Sequence, residues 1–304
     1  MSRILITGKN GQVGFELLRV LPAMGDVIGT DRAELDLADP DSIRRIVRDA
    51  KPELIVNAAA YTAVDQAESE PERAFAVNSV GPGILAEEAK RLGAAMIHFS
   101  TDYVFDGEKS GAYTEVDEPR PLSVYGRSKL AGEEAIQAVD PSHLILRASW
   151  IYGARGRNFL LTILRMARER EELAVVNDQI GAPTWSRAIA SAIRGILASL
   201  HFGEETFRDA CAEKRGVYNV TAAGQTSWYG FAAAILAHAS GAPPGSPFHL
   251  ERLPALKPIA TEQYPTAAKR PRNSVLSNAR QQRAFGIVMP DWRAGLMDCI
   301  GSGS

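Results

Sequence analysis

A tyrosine and a lysine four positions apart, Tyr125 and Lys129, are the residues of this chain best suited to chemistry. Residues at this spacing lie on one face of a helix, so a phenol and an amine can contact one ligand. A phenol has an unperturbed pKa near ~10, and a neighbouring ammonium lowers that pKa by favouring the phenolate. The pair predicts a proton donor, Tyr125, tuned by Lys129. The alternative interpretation is an ordinary pair on a helix surface.

Two hydroxyl side chains, Ser100 and Thr101, follow the apolar segment 95–99, which has the pattern of a buried strand. In an open parallel sheet, ligands bind outside the carboxyl ends of the strands. A hydroxyl at such an end can hold a carbonyl oxygen that gains negative charge when hydride reaches its carbon. A hydroxyl, a phenol and an ammonium at one site therefore predict the reduction of a carbonyl group.

A glycine-rich segment follows the apolar residues 4–6 and precedes a helical pattern over residues 12–21. Its glycines allow positive backbone angles, let bare backbone approach a pyrophosphate and bring the helix close to the sheet. The unpaired N–H groups of the helix N-terminus then face the anion. We predict a dinucleotide-binding loop here, with a tight turn between packed elements as the alternative. The loop residues are Gly8, Asn10, Gly11, Gln12, Val13 and Gly14.

Two further strand ends supply candidate cofactor contacts. Asp31 stands about 20 residues past the glycines, where an acidic side chain can accept hydrogen bonds from the adenosine ribose. Arg32 beside it can instead face a 2'-phosphate, so NAD and NADP both stay open, as does a solvated loop pair. Small residues after the third strand leave space for a ring or a ribose. The predicted residues are Asp31, Arg32, Asp36, Leu37, Ala58, Ala59, Ala60 and Tyr61, with Tyr125 and Lys129 at the nicotinamide end.

The elements that must position these residues alternate between strand and helix patterns. Strands are predicted at residues 4–6, 27–29, 54–56, 95–99 and 144–146, and helices at 12–21, 41–50, 72–92 and 124–139, the third broken near 81–83. This alternation is typical of an α/β fold with a Rossmann, doubly wound parallel sheet. After residue 150, helices at 159–169 and 186–200 alternate with strand-like segments 174–176 and 217–220 and with loops at 241–271.

The same patterns suggest how the chain divides. We expect residues 1–148 to form the dinucleotide-binding Rossmann domain and residues 149–300 a smaller, interleaved C-terminal substrate-binding lobe. Some later strands and helices, at about 171–220, are expected to return to the Rossmann domain. Residues 301–304 read as a flexible tail.

Composition excludes several classes of function. Of 304 residues, 45% are hydrophobic and 23% charged, enough for a substantial core without metal or disulfide staples. The net charge of -2, with both signs scattered, argues against nucleic acid, and no basic amphipathic segment suggests a membrane surface. Cys211 and Cys299 lack metal-ligand spacing and indicate a reducing compartment. Since the first strand begins at Arg3, we expect no signal sequence and a cytoplasmic protein that acts on a small molecule and binds no metal.

The glycine loop, the Ser100 and Thr101 strand end and the Tyr125 and Lys129 pair resemble the extended short-chain dehydrogenase/reductase family. The likeness covers nearly the whole chain and includes segments 57–65, 100–107, 176–184, 264–266 and 270–271. It implies NADPH or NADH as cofactor and a nucleotide-sugar substrate, with hydride transfer to the 4-keto carbon of a dTDP-linked sugar. It also implies that Tyr125 is the general acid, that Lys129 tunes it and anchors the ribose, and that Thr101 polarises the carbonyl.

The resemblance extends to the substrate site. Related dehydratases carry an Asp-Glu pair after the threonine, which supplies the acid and base for elimination; here the pair is Asp102 and Tyr103, so reduction is favoured over dehydration. Trp150 falls where the family stacks or packs against the sugar, with a core aromatic at the domain hinge as the alternative. His98, inside a strand, is expected to be a core histidine. The implied substrate residues are Thr101, Asp102, Tyr103, Trp150, Asn158, Gln179, Arg270 and Asn273.

Two alternative functions stay open. One is another nucleotide-sugar reductase or epimerase of the same family. The other is a non-catalytic NADP-binding regulatory subunit that resembles the one of methionine adenosyltransferase; the intact Tyr125 and Lys129 argue against it without excluding it, since a fold does not compel an activity.

One departure from the family pattern bears on assembly. Some members form a dimer in which glutamates from two subunits hold a shared magnesium ion. Of the matching positions here, Glu16 is acidic, whereas Arg187 and Arg293 offer guanidinium groups that repel a divalent cation. We therefore expect a monomer or a dimer not bridged by magnesium.

Overall fold

A computed structural model describes residues 2–301 of the chain. The strands are β1 (Arg3–Thr7), β2 (Asp26–Thr30), β3 (Leu54–Asn57), β4 (Ala95–Thr101), β5 (Ser142–Ala148), β6 (Ile151–Tyr152), β7 (Glu172–Val176), β8 (Ile180–Gly181), β9 (Thr184–Trp185), β10 (Gly216–Asn219), β11 (Thr226–Ser227) and β12 (Ala255–Ile259). Among the described residues, six strands form one parallel sheet in the order β2-β1-β3-β4-β5-β10. The chain crosses from one side of β1 to the other after β2, as in a doubly wound Rossmann sheet, so the predicted fold class is confirmed.

Helices cover both faces of this sheet. They are α1 (Gln12–Val20), α2 (Pro40–Ala50), α3 (Val64–Ala67), α4 (Pro71–Phe75), α5 (Gly81–Leu92), α6 (Val124–Val139), α7 (Phe159–Glu169), α8 (Ser186–Ser199), α9 (Phe207–Glu213), α10 (Trp228–Gly241), α11 (Ala279–Phe285) and α12 (Trp292–Gly301). Ile4 and Ile6 pack towards α1 and α8, whereas Leu5 packs towards α2, α5 and α6. Because strand side chains alternate between faces, a strand that is apolar throughout belongs in the middle of such a three-layer arrangement.

The helix predicted over residues 72–92 does not break near 81–83. α4 continues through a π-helical turn at Ala76–Val80, in which the N–H of Gly81 bonds to the carbonyl of Ala76, and leads directly into α5. Pro82 stands in the first turn of α5. It lacks an N–H and cannot continue regular helical bonding, and the wider π-helical turn accommodates it. The predicted break is therefore wrong.

The second lobe has a core of its own. Leu164 of α7, Phe231 of α10 and Leu296 of α12 belong to one buried apolar cluster, which also includes Leu173 of β7. β12 pairs with β7 in parallel and lies in the region predicted to be loops, so that prediction was wrong for residues 255–259. β10 and α8, although they follow residue 150, belong to the large sheet and its outer layer.

The C-terminal end differs in part from the expected tail. Gly301 is the last residue of α12, and residues 302–304 lie outside the described residues. Within residues 2–301, every helix is too short or too polar to cross a bilayer.

Candidate active site

A cleft of about 1000 Å³ opens between the large sheet and the second lobe. Ends of parallel strands of the sheet form one wall, as expected for a ligand site in this architecture. Trp228, at the start of α10, lines the opposite side. The residues predicted from sequence that line this cleft are Gly8, Asn10, Gly11, Gln12, Val13, Asp31, Arg32, Asp36, Leu37, Ala58, Ala59, Ala60, Tyr61, Thr101, Asp102, Tyr103, Tyr125 and Trp150.

The glycine loop after β1 requires glycine at two positions. Gly8 has a φ of +74°, and a Cβ there would stand 2.9 Å from the backbone of Ala59. A Cβ at Gly14 would stand 2.1 Å from the carbonyl oxygen of Gly8, so α1 meets the loop backbone directly. No side chain shields the loop backbone at these positions. This bare backbone, at the N-terminus of α1, fits the pyrophosphate of a dinucleotide.

The end of β2 presents two charges of opposite sign. Asp31 accepts a hydrogen bond from Asn10 (Nδ2 to Oδ2, 3.0 Å), which ties the carboxylate to the glycine loop. Arg32 pairs with Asp36 at 3.2 Å, yet 68% of the arginine side chain is exposed. The carboxylate can accept ribose hydroxyls and the guanidinium can face an added phosphate, so this edge is compatible with NAD and with NADP.

The first turn of α6 places Tyr125. Ser123 caps the helix, its Oγ accepting the N–H of Gly126 at 3.1 Å. The cap begins the helix immediately before Tyr125, so the phenol is held in the rigid first turn. Its ring meets Tyr103 edge to face, with 5.5 Å between ring centroids.

The hydroxyls of Thr101 and Tyr125 form the centre of the site. Thr101 donates to Asp102 (Oγ1 to Oδ1, 3.1 Å), and its side chain is close enough to Tyr125 to influence the pKa of the phenol. Burial raises the pKa of Tyr125 to about 12, and the contact with Thr101 offsets part of the rise. Burial likewise raises the pKa of Asp102 to about 6, opposed by hydrogen bonds from neighbouring hydroxyls. The phenol is therefore protonated at neutral pH and available as a proton donor.

Lys129 lies one helical turn beyond Tyr125 and is fully buried. Its Nζ donates to the carbonyl oxygen of Phe99 at 2.5 Å and lies 3.2 Å from His98 Nε2. Burial lowers the pKa of Lys129 to about 8. The arrangement differs from the sequence-based expectation, because the amine is directed to the backbone of β4 and burial outweighs any lowering of the Tyr125 pKa.

Trp150 stands where the chain leaves β5 for the second lobe. Its backbone adopts a left-handed φ of 47°, which is uncommon for a bulky residue. Its ring stacks on Trp228 with 3.4 Å between centroids and 8° between planes. Because both rings line the cleft, Trp150 acts at once as a packed aromatic between the lobes and as part of the cleft wall.

Four predicted substrate residues lie outside the cleft. Asn158 caps α7 through its Oδ1 and donates to Gln12 at 3.0 Å. Asn273 donates to the backbone carbonyls of Lys109 and Gly111, which makes it a residue that orders loops. Gln179 and Arg270 line a separate cavity of about 570 Å³.

That second cavity carries charges of both signs. Its lining includes Lys269, Arg270 and Arg272 as well as Asp106 and Glu108. Arg270 makes a two-pronged ion pair with Asp65 of α3, at 2.7 and 3.1 Å, and so ties the C-terminal segment to the short helix that follows β3. An arginine fork of this kind matches the planar geometry of carboxylates and phosphates.

Several residues of the site were missed in the sequence. Arg73, Arg157 and Trp228 line the cleft, but each comes from a segment without a motif. A buried ion pair, Glu133 with Arg147 at 2.6 Å, supports the end of β4, because Glu133 also accepts the hydroxyl of Ser100. Neither a glutamate on a helix nor an arginine in a strand predicts such a pair. The alternation of side chains along β5 indicates that Arg147 points into the protein, but it does not show which residue Arg147 contacts.

The positions matched to the magnesium ligands are engaged otherwise. Arg187 donates to Glu16 (Nε to Oε2, 3.0 Å), and Glu16 is buried. The guanidinium of Arg293 lies over the ring of Trp292 at 4.4 Å. Across residues 2–301 the His, Cys, Asp and Glu side chains form no cluster of three or more suited to a metal ion.

The chain is similar to proteins of known family. The RmlD substrate binding domain family matches residues 1–303. The dTDP-4-dehydrorhamnose reductase of Burkholderia thailandensis is 49% identical over 298 residues, 98% of each chain. The enzyme of the same name from Escherichia coli K12 is 44% identical, over 96% of this chain and 95% of the relative. The dTDP-4-dehydrorhamnose reductase of Bacillus anthracis, solved in complex with NADP, superposes with a TM-score of 0.87 at 33% identity, over 99% of this chain and 100% of that one.

The fold and the site define an NADP- or NAD-dependent oxidoreductase of the Rossmann type, and the resemblance seen in the sequence is confirmed. Within that class, the chain belongs to the dTDP-4-dehydrorhamnose reductase family.

Proposed function

We propose that this chain reduces dTDP-4-dehydro-L-rhamnose to dTDP-L-rhamnose with NADPH or NADH. The observation that carries the proposal is the juxtaposition of Tyr125 and Thr101 in a cleft that also contains the bare-backbone glycine loop. Family membership supports the choice of substrate, because relatives over 40% identical carry this activity in their names.

Under this proposal, residues 1–148, together with α8 and β10, bind the dinucleotide, and the rest of residues 149–300 binds the sugar nucleotide. The backbone around Gly8 and Gly14 holds the pyrophosphate, and Asp31 holds the adenosine ribose. The nicotinamide, when bound, supplies hydride to the 4-keto carbon of the sugar.

The side chains of the chain then supply the proton. Burial keeps the Tyr125 phenol protonated, which is the state a general acid requires. When substrate binds, Thr101 turns its hydroxyl proton from Asp102 to the carbonyl oxygen, so that the charge developing on that oxygen is stabilised before the proton of Tyr125 arrives. The amine of Lys129, one turn away, adds positive charge near the phenol and so favours the phenolate that remains.

The site favours reduction over dehydration. Elimination of water needs a base and an acid on the sugar ring, and Asp102 has a tyrosine, Tyr103, as its neighbour. Burial raises the pKa of Tyr103, so its phenol stays protonated at neutral pH and cannot accept a proton as a base. The nucleotide part of the substrate is assigned to the second cavity, where Lys269, Arg270 and Arg272 complement a diphosphate.

Turnover of the named substrate tests the proposal. Purified protein is mixed with dTDP-4-dehydro-L-rhamnose and, in separate assays, NADPH or NADH, and the reduced-nicotinamide absorbance is followed. We expect loss of absorbance with at least one cofactor and formation of dTDP-L-rhamnose. Absence of turnover at high enzyme concentration, with cofactor binding intact, would instead favour a non-catalytic binding subunit, and a product other than the rhamnose would favour a related reductase or epimerase.

The variant Tyr125→Phe tests the role of the phenol. It is expected to lower turnover by a factor on the order of 10² to 10⁴, the effect of a lost general acid, with cofactor binding retained. Tyr218→Phe is the matched control, since that phenol donates to the backbone carbonyl of Lys214 at 2.6 Å, away from the cleft. Unchanged turnover in Tyr125→Phe removes the phenol from the mechanism.

A further inference from the structure

A row of polar side chains crosses the middle of the large sheet at one level. The register places Thr7 of β1 beside Asn57 of β3, and Asn57 beside His98 of β4. Neighbouring residues in register point to the same face of a sheet, here the face covered by α6. All three side chains are at most 1% exposed. Polar groups this deeply buried must satisfy their hydrogen bonds with one another.

The hydrogen bonds along this row have a direction. The N–H of Ala59 donates to Thr7 Oγ1 at 3.2 Å, and Thr7 Oγ1 lies 2.6 Å from Asn57 Oδ1. The Thr7 hydroxyl proton therefore goes to Asn57 Oδ1. The opposite orientation of the amide would turn its NH₂ to Thr7 Oγ1, which already accepts from Ala59, and would leave the hydroxyl proton without an acceptor in the row.

The direction of the row determines the state of the histidine. With its Oδ1 occupied by Thr7, Asn57 turns its Nδ2 to His98, 2.9 Å from Nδ1. An amide NH₂ only donates, so Nδ1 is the acceptor and the ring proton resides on Nε2. That Nε2 faces the amine of Lys129 at 3.2 Å.

We propose that His98 is a positioning residue for Lys129: the row from Thr7 through Asn57 fixes its ring as the Nε2–H tautomer and aims that N–H at the amine. The N–H of His98 disfavours the ammonium form of Lys129, because both groups are donors, whereas the neutral amine can accept a hydrogen bond from it. His98 thus sets how readily Lys129 gains a proton and keeps Nζ against the carbonyl of Phe99. The inference deepens the proposed function and, for its kinetic consequences, rests on it.

Other charged groups act on Lys129 as well. The titratable or charged side chains around it are Tyr125 and Glu133 of α6, His98 of β4, and Arg147 of β5, which is paired with Glu133. Asp102, just beyond β4, acts on Tyr125. Glu133 favours the ammonium and burial opposes it. Because Arg147 already neutralises Glu133 at 2.6 Å, the donor on His98 is a contact that can tip this balance.

A measurement of the ring tautomer tests the proposal without reference to activity. Nitrogen-15 correlation spectra of the five histidines distinguish the two neutral tautomers and the charged ring. We expect His98 to be neutral with its proton on Nε2 from pH 6 to pH 9 (roughly the range in which histidine and Lys129 titrate). His143 is the internal control, because its Nδ1 faces the carbonyl of Pro141 at 2.8 Å and must carry the proton. A His98 ring that is charged, or protonated on Nδ1, overturns the proposal.

Variants then test the effect on Lys129. His98→Leu removes the donor, whereas His98→Gln keeps an N–H that can face the amine. If activity falls at high pH as Lys129 loses its proton, His98→Leu moves that fall upward by about one pH unit, the scale of one hydrogen bond to a charged group. His98→Gln restores the original profile, and His143→Leu, in the next strand of the sheet, leaves the profile in place. A loss of activity in His98→Leu equal at every pH assigns the histidine a purely structural role.

Discussion

At the scale of single residues, burial governs the chemistry of this site. Lys129 is buried and Tyr125 is partly buried, and the pKa of each is shifted in the direction that favours its neutral form. The phenol keeps its proton and the amine holds its own less firmly than in water. The identity and spacing of the two residues predicted a phenol whose pKa is lowered by a neighbouring ammonium group. The pKa shift that burial causes depends on the surrounding atoms, which the sequence alone does not give.

The carboxyl of Asp102 gives a prediction about pH and stability. Its pKa is raised by burial from 3.8 to about 6, so folding takes up a proton between these values and the folded state loses stability as pH rises through them. Above about 6 the loss is complete. Asp102→Asn removes the ionisation, and its stability relative to the parent should grow between pH 4 and pH 6, by up to about 3 kcal/mol, and then stay constant.

Urea unfolding of both proteins at several pH values measures this difference. Asp209→Asn on α9 makes the same change from carboxyl to amide at an exposed position and serves as the control. A constant difference between Asp102→Asn and the parent from pH 4 to pH 7 would contradict a raised pKa for this carboxyl.

Residues at strand ends were predictable, and residues that rely on distant partners were not. Asp31, Thr101 and Tyr61 line the cleft because the carboxyl ends of parallel strands meet at one edge of the sheet. Arg270, in contrast, contacts Asp65, 205 positions earlier, and no local pattern announces such a pair. His98 was expected only to fill the core, since its contacts with Asn57 and Lys129 arise from strand register and helix packing.

At the scale of elements, periodicity predicted the strands and helices of the large sheet because each has one clear apolar pattern. It failed where backbone chemistry has two solutions. A proline usually ends a helix, but Pro82 is tolerated because it lies in the first turn of α5, directly after the π-helical turn. The benefit is local: Asn78, inside that turn, uses its side chain to hold the backbone of Tyr61 through bonds of 2.8 and 3.0 Å.

The contact between α1 and the glycine loop yields a second prediction. In Gly14→Ala the new methyl group would stand 2.1 Å from the carbonyl oxygen of Gly8, so the helix must move away from the loop. We expect dinucleotide affinity to fall at least about 100-fold, and stability to fall by about 1–3 kcal/mol, the usual cost of overpacking.

Fluorescence titration with NADPH and thermal unfolding measure the two effects. Gly241→Ala at the end of α10 is the matched control, because no atom lies within 4 Å of a Cβ placed there. That control should bind the dinucleotide like the parent. Equal affinity in Gly14→Ala would mean that the loop does not hold the pyrophosphate.

At the scale of the whole molecule, a few side chains join parts that lie far apart in sequence. The pair Asp65 and Arg270 links α3 to the C-terminal segment, and Trp150 stacks against Trp228 between the lobes. A third link, Glu16 with Arg187, joins α1 to α8 on the outer face of the sheet. The loosened pattern after residue 150 led us to predict two interleaved lobes, but it gave no indication of these links.

The link between Glu16 and Arg187 leads to a prediction about assembly. The guanidinium of Arg187 is paired with the carboxylate of Glu16, whose oxygens would otherwise be available as metal ligands. We therefore expect no magnesium site here. Sedimentation in magnesium and in chelator should therefore give the same molecular mass. Arg187→Glu places a second carboxylate beside Glu16 and is the variant in which magnesium should raise the melting temperature, because the ion relieves the repulsion between the two. Arg194→Glu, exposed on the same helix, carries the same charge change and should not respond. A parent protein whose mass falls in chelator would show that metal bridges its subunits despite the arginines.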